Sequence, residues 1–144
     1  MTTEDDGPDY PGVGDGTMDH TVGMLMGDEI VSAPATTTFR EAAKMLHDAE
    51  VGLLVIGEPT SVKGVVSERD IVRAVARGVD LDAATVADSL STNLKWATPD
   101  TSVGNVIEEM MEGYLRHVLV GGDGGELVGI VSMRDLLAAF PGPD

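Results

Sequence analysis

The chain has 144 residues and a formal net charge of −16 at pH 7, with 25 acidic and nine Lys or Arg side chains. This excess of negative charge repels phosphate backbones and argues against nucleic-acid binding. Cysteine is absent, which excludes disulfides, thiolate metal ligands and cysteine nucleophiles. We read no apolar run near the roughly 20 residues of a membrane-spanning helix and no secretory signal, so we expect a cytoplasmic protein.

Residues 1–20 carry acidic side chains without any Lys or Arg, interspersed with glycine and proline. Such a composition cannot bury enough apolar surface to fold, so it predicts an acidic disordered tail over 1–20. A functional acidic arm is the alternative. The acidic residues are Glu4, Asp5, Asp6, Asp9, Asp15 and Asp19.

The first repeat, residues 21–78, reads as β-α-β-β-α. The residue before Pro34 is pushed towards extended backbone, and Thr38 with Glu41 forms the pattern of a capping box. The predicted elements are an extended segment over 30–34, a helix from 38 that ends in the region of Gly52, a strand over 53–56, a turn over 58–61, a strand over 63–66, and a helix from 68 to about 77, closed by Gly78.

A linker over 79–84 leads to the second repeat, residues 85–140, which reads in the same order, and residues 141–144 form the C-terminal end. The predicted elements are an extended segment over 94–97, a helix that carries Val103, Val106, Ile107 and Met110, a strand over 118–120, a glycine-rich hairpin turn over 121–125, a strand over 127–131, and a helix over 134–140, stopped by Pro141.

The two halves repeat one motif. Gly64-Val-Val-Ser-Glu-Arg-Asp70 returns as Gly129-Ile-Val-Ser-Met-Arg-Asp135, and matched residues upstream keep a spacing of roughly 64. The pattern predicts an α/β (α+β) fold of two tandem β-α-β-β-α units packed with pseudo-two-fold symmetry. Two units packed face to face leave paired clefts between them.

Each motif ends where a strand passes into a helix. Ser67 with Asp70, and Ser132 with Asp135, have the spacing of a capping box, and the helix N-terminus also offers free N–H groups to a phosphate. A carboxylate there can accept ribose hydroxyls, as in dinucleotide sites. Both interpretations remain open from the residues alone.

Scarce basic residues stand at the same places. Arg69 and Arg134 lie inside the two motifs, and Arg116-His117 opens a central strand of the second repeat. An acidic chain that binds an anion must concentrate its guanidinium groups at the site. The alternatives are surface ion pairs for the two arginines and a satisfied core or rim histidine for His117.

These paired motifs resemble the CBS domain in its two-repeat arrangement, the Bateman module, and the resemblance covers about residues 21–140. It implies a stand-alone regulatory or sensor module, not an enzyme, that binds AMP, ADP, ATP or S-adenosylmethionine between the repeats and modulates an unknown partner. It also implies a homodimer that requires no cofactor and no metal. The alternative function is a ligand-free, dimeric interaction or scaffold protein.

The resemblance also assigns roles to residues. It implies that Asp70 and Asp135 bind ribose hydroxyls, supported by Ser67 and Ser132, and that Arg116 and His117 meet phosphates. It implies that the first strand of one repeat faces the motif of the other. The resulting groups are Val31, Ser32 and Ala33 with Asp135, and Lys95, Trp96 and Ala97 with Asp70.

The two clefts are expected to differ because Trp96, the single tryptophan, aligns with Ser32. An indole at that position either fills the cleft or stacks on a base. We favour filling, because a large rigid side chain in place of a small one takes up room. The sequence therefore predicts that the Asp135 cleft is the working site and that the Asp70 cleft is impaired.

Overall fold

The computed structural model describes residues 17–27 and 29–139. Residues 1–16 of the predicted tail lie outside this range, as do Phe140 and Pro141. The last part of the predicted tail contacts the folded chain: residues Thr17–Asp19 form a 3-10 turn, and the N–H of Val103 donates to the carbonyl of His20 at 2.7 Å. Among the described residues, no helix has the length and apolar character needed to cross a bilayer.

Each half folds into a three-stranded sheet and two helices, which confirms the predicted α+β class and the element order. The first half contains β1 (Ser32–Ala33), α1 (Phe39–Ala49), β2 (Leu53–Glu58), β3 (Ser61–Ser67) and α2 (Glu68–Ala76). The second contains β4 (Trp96–Ala97), α3 (Val103–Gly113), β5 (His117–Gly121), β6 (Leu127–Ser132) and α4 (Met133–Ala139). The sheet orders are β1-β2-β3 and β4-β5-β6, in which the first pair of strands is parallel and the second antiparallel.

The first helix begins as predicted and ends earlier than predicted. The hydroxyl of Thr38 accepts from the Glu41 N–H at 3.1 Å, and the Thr38 N–H donates to the Glu41 carboxylate at 2.9 Å. The helix ends at Ala49, where Glu50 adopts the left-handed conformation at φ 56°. Gly52 is therefore not the helix end. A Cβ there would lie 2.9 Å from Glu68 Oε1 and 3.5 Å from His117 Nε2, so the glycine leaves room for the Glu68 carboxylate beside His117 of the other half.

The strands of the first hairpin are longer than predicted, and the turn between them is reduced to Pro59-Thr60. A register shift between Ile56 and Gly57 makes the longer pairing possible. Gly57 has φ 107°, and a Cβ there would lie 2.5 Å from the Ser61 carbonyl oxygen. Only glycine fits at this bulge. A single glycine in the sequence is too weak a signal to predict that the strands continue beyond it.

The segments that enter the two repeats are exchanged between the halves. Thr21 pairs with Ser102 and Gly27 with Ile130, whereas Thr85 pairs with Thr38 and Ser91 with Val65. Val22 is fully buried in the core of the second half, and Val86 is fully buried in the core of the first half. Each half therefore completes its core with a residue from the other half's entry segment.

A third apolar cluster joins the two sheets. Leu53 and Val55 of β2 pack in this cluster with Leu119 of β5 and Leu127 of β6, and all four are buried. The Leu127 N–H also donates to the Pro59 carbonyl at 2.8 Å. This cluster holds the sheets face to face, so the N-terminal ends of β2 and β5 lie close together beside it.

The exchange predicts that Val22→Ala and Val86→Ala each lower the free energy of unfolding of the whole chain by about 1.5–3 kcal/mol. Urea denaturation followed by circular dichroism measures this change. Met111→Ala is the control, because Met111 is 67% exposed and we expect a change within about 0.5 kcal/mol. Two separate unfolding transitions, or no loss of stability, would contradict the exchange as a source of stability.

Candidate functional site

Both Ser-x-x-Asp motifs form capping boxes. The Ser67 N–H donates to Asp70 Oδ2 at 2.8 Å, and the Asp70 N–H donates to the Ser67 hydroxyl at 3.4 Å. The corresponding distances for Ser132 and Asp135 are 2.9 Å and 3.0 Å. The capping interpretation is confirmed in both halves, and it fixes each carboxylate at the N-terminus of its helix.

Capping uses only part of the Asp70 carboxylate. Its Oδ2 accepts from the N–H and the hydroxyl of Ser67 at 2.8 Å and 3.1 Å, and its Oδ1 accepts from Arg73 Nη1 at 3.1 Å. A carboxylate offers about four lone-pair sites, so about one site remains, on Oδ1, to accept from a hydroxyl of a ligand. In the second half, Ala138 stands at the position of Arg73, so this ion pair has no equivalent there.

A cavity of about 250 Å³ opens between the halves at the first motif. We call it the Asp70 cleft. One wall is apolar, and the polar residues come from both halves. The apolar residues are Leu53, Val65, Leu94, Leu115 and Leu119. The polar and charged residues include Ser67, Glu68, Arg69, Asp70, Asn93, Lys95, Tyr114, Arg116 and His117. An apolar wall with a few convergent polar groups is the usual make-up of a small-molecule site.

A second, more open groove of about 970 Å³ lies beside this cleft. We call it the Arg134 groove. It runs from the C-terminal end of α1 to the start of α4 and shares four residues with the Asp70 cleft. The shared residues are Gly52, Glu68, Arg116 and His117. Arg116 and His117 therefore stand at the junction of the two cavities.

Charge distinguishes the two cavities. The Asp70 cleft is lined by three Lys or Arg side chains and two carboxylates, whereas the Arg134 groove is lined by two arginines and three carboxylates. In a chain with only nine Lys and Arg, three of them at one cleft form a local positive surplus that favours an anion. The groups in the cleft are Arg69, Lys95, Arg116, Glu68 and Asp70; those in the groove are Arg116, Arg134, Asp48, Glu50 and Glu68.

His117 is neutral in the unliganded chain at neutral pH. Partial burial lowers the pKa of its imidazole below 6.5, although the carboxylates of Asp135 and Glu68 act to raise it; Arg116 lowers it further. The ring can therefore donate one hydrogen bond and accept one at the junction of the cavities. No cluster of three or more His, Asp or Glu side chains among residues 17–27 and 29–139 is placed to hold a metal ion.

Trp96 does not fill the Asp70 cleft, so that expectation is wrong. Trp96 is absent from the residues that line the cleft, and its Cε3 lies 3.3 Å from the position of a Cβ on Gly121. Trp96 pairs with Leu119 in parallel register, and Gly121 leaves room for the indole two residues further along β5. The neighbouring Ala97 is buried in the core of the second half. Of the three residues expected to face Asp70, namely Lys95, Trp96 and Ala97, Lys95 alone lines the cleft.

The residues expected around Asp135 are not brought together in the same way. Asp135 and residues 31–33 line neither of the two cavities. Ala33 is buried in the core of the first half, and Ser32 is exposed. Of the second motif, Ser132 and Arg134 line the Arg134 groove.

Sequence reasoning missed two residues at the mouths of the cavities. Tyr114 lines the Asp70 cleft and Glu50 lines the Arg134 groove. They occupy matching positions after α3 and α1, with left-handed backbones at φ 55° and 56°. The repeat spacing aligns the two residues, but the signal was masked because neither is the Gly or Asn common at such helix ends.

Comparison with known proteins identifies the family. Residues 22–77 and 86–142 each match the model of the CBS domain. An uncharacterized 17.7 kDa protein from Acidianus ambivalens is 34% identical over 120 residues, which cover 83% of this chain and 72% of that protein. Some relatives are much longer: the chain spans 13% of an A-adding tRNA nucleotidyltransferase from Geobacter sulfurreducens, to which it is 28% identical.

Two solved structures of the same fold were determined with ligands. A CBS domain protein from Pyrobaculum aerophilum, complexed with AMP, is 37% identical with a TM-score of 0.72, over 80% of this chain and 88% of that one. The CBS domain pair of protein MJ0100, in complex with 5'-methylthioadenosine and S-adenosyl-L-methionine, is 25% identical with a TM-score of 0.73, over 82% of this chain and 93% of that one. The chain belongs to the CBS domain family and contains two copies of the domain.

The lowered pKa of His117 predicts a pH-dependent stability. Because the imidazole gains a proton more readily in the unfolded chain, whose histidine pKa is about 6.5, the free energy of unfolding should fall as the pH drops below that value. Urea denaturation of the unliganded chain at pH 7.5 and pH 5.5 measures this change. His117→Gln should remove part of the difference, and an identical pH dependence in that variant would contradict the assignment.

Proposed function

We propose that this member of the CBS domain family is a regulatory module that binds a phosphate-bearing adenosyl ligand in the Asp70 cleft and thereby changes how it docks a partner. The observation that carries the proposal is the composition of that cleft: an apolar wall, a capped carboxylate and three cationic side chains meet between the halves.

Each group has a task that matches one part of an adenosyl nucleotide. The apolar wall, which includes Leu53 and Leu119, suits the flat base. Oδ1 of Asp70 accepts from a ribose hydroxyl, while Ser67 holds the carboxylate through Oδ2. The cationic residues Lys95 and Arg116 attract the phosphate, and charge-assisted hydrogen bonds of this kind are the strong ones. These groups account for binding of the nucleotide, and the proposal includes no chemical reaction.

The relatives support an adenosyl ligand. The Pyrobaculum aerophilum protein was solved with AMP, and the MJ0100 pair with 5'-methylthioadenosine and S-adenosyl-L-methionine. The local positive surplus of the Asp70 cleft favours the phosphate-bearing compound for this chain. We therefore propose the Asp70 cleft as the working site, in place of the Asp135 side that the sequence favoured.

The alternative function is that of a ligand-free scaffold, and a thermal-shift series separates the two. A ligand that binds only the folded chain stabilises it by about 2.7 kcal/mol at a hundredfold excess over its Kd. We expect AMP, ADP or ATP to raise the Tm. No shift with these nucleotides or with S-adenosylmethionine at millimolar concentration would leave the scaffold interpretation.

We predict that Asp70→Asn weakens nucleotide binding at least tenfold in isothermal titration calorimetry. Asparagine keeps an oxygen that can accept from the Ser67 N–H, so the helix cap survives. The variant loses the charge that strengthens the bonds to the ribose, and hydrogen bonds to charged groups contribute about 1.5–3 kcal/mol.

Asp135→Asn is the matched control, because it makes the same change in the equivalent capping box. We expect its Kd to stay within about threefold of the unmodified chain, since Asp135 lines neither cavity and acts on the cleft only through its charge near His117. The assignment to the Asp70 cleft would be wrong if Asp135→Asn abolished binding while Asp70→Asn did not.

We also propose a homodimer, because the second helices of the two halves expose apolar side chains at matching positions. Val72 of α2 is 66% exposed, and its counterpart in α4, Leu137, is 65% exposed; Val75 is 56% exposed. A two-fold interface would cover such a repeated apolar face.

Light scattering at micromolar concentration should give twice the mass of the chain, and Val72→Asp should shift the protein towards the monomer because it places a charge in the proposed interface. Met111→Glu is the control, since Met111 is exposed on α3. A monomer mass for the unmodified chain would refute the dimer.

A further inference from the structure

We infer that the residue at the left-handed end of the first helix in each half, Tyr114 or Glu50, decides which cavity accepts an anionic adenosyl ligand. The inference rests on the proposed function and adds a determinant of selectivity to it. The uncharged ring of Tyr114 covers a ligand in the Asp70 cleft, whereas the carboxylate of Glu50 repels an anionic ligand from the Arg134 groove.

The Asp70 cleft is too small to enclose a whole nucleotide. The cavity holds about 250 Å³, whereas pockets that enclose small molecules usually measure about 300–1,000 Å³. Part of a nucleotide must therefore extend beyond the enclosed space. Tyr114 borders this opening, and it is 92% exposed in the unliganded chain. A ligand that extends over the rim would remove the ring from water.

The backbone explains why the two residues are comparable. Tyr114 lies at φ 55°, ψ 40°, and Glu50 lies at φ 56°, ψ 42°. The Tyr114 N–H donates to the Met110 carbonyl, and the Glu50 N–H donates to the Leu46 and His47 carbonyls. The two side chains therefore leave equivalent positions with the same backbone geometry, each at the rim of its own cavity.

The chemistry of the two positions is opposite with respect to a phosphate. Tyr114 presents a neutral ring two residues before Arg116, so nothing at that position opposes the positive surplus of the Asp70 cleft. Glu50 adds a carboxylate to a groove that Asp48 and Glu68 already line. Like charges at short range disfavour binding, and they outnumber the two arginines of that groove.

The test exchanges the two residues. Each substitution is one that the chain already accommodates in this backbone conformation, so Tyr114→Glu and Glu50→Tyr should fold; circular dichroism checks this. AMP binding is then measured by isothermal titration calorimetry. Tyr114→Phe keeps the ring, and Met111→Glu adds the same charge on α3 at a residue that is 67% exposed and lines neither cavity.

We expect Tyr114→Glu to weaken AMP binding at least tenfold, and Tyr114→Phe and Met111→Glu to change the Kd by less than threefold. We expect Glu50→Tyr to leave the stoichiometry at about one AMP per chain, because the two cavities share Arg116, and to recover AMP binding when it is combined with Asp70→Asn. An unchanged Kd in Tyr114→Glu, an equal loss in Met111→Glu, or no recovery of binding when Glu50→Tyr is added to Asp70→Asn would overturn the inference.

Measurements on the unmodified chain and on Asp70→Asn distinguish failure of the proposed function from failure of this inference. Absence of AMP binding to the unmodified chain would defeat the proposed function, and this inference with it. Binding that Asp70→Asn abolishes but Tyr114→Glu leaves intact would refute only the role of Tyr114.

Discussion

The reciprocal burial of two valines holds the molecule in the arrangement that creates the cleft. Val22 completes the core of the second half and Val86 that of the first. Each is fully buried, so removing either segment would open a cavity in the opposite half. The halves are thus tied together at their cores as well as along the sheet-to-sheet cluster around Leu119. These contacts fix the positions of the residues on both sides of the cleft.

The same constraint sets the chemistry of the cleft. Because the sheets are held face to face, His117 at the start of β5 lies near Gly52, which leaves room for the Glu68 carboxylate. Arg116 and His117 thereby reach both cavities. The capping box holds Asp70 on the other side. The groups that we propose to bind the ligand thus come from distant parts of the sequence and are positioned in the unliganded chain, which would lower the entropic cost of binding.

The element order and the capping boxes were predictable because they depend on local patterns: Thr38 with Glu41, and Ser67 with Asp70, act within one helical turn. The exchange of Val22 and Val86 was not predictable, since a short 3-10 segment has no periodicity. The misplacement of Trp96 has a similar origin. Alignment with Ser32 predicts its position in the strand, but where the indole packs depends on the space beside Gly121 of the neighbouring strand. The positions of Glu50 and Tyr114 at the two cavities likewise depend on how the two halves meet.

The central claim is that the two halves together build one nucleotide site at Asp70. A crystal structure of the chain grown with AMP tests it most directly. We predict AMP in the Asp70 cleft, with ribose hydroxyls within hydrogen-bond distance of the Asp70 carboxylate and the phosphate beside Lys95 and Arg116. AMP bound only at the Asp135 side, or a cleft that stays empty at millimolar AMP, would contradict the account.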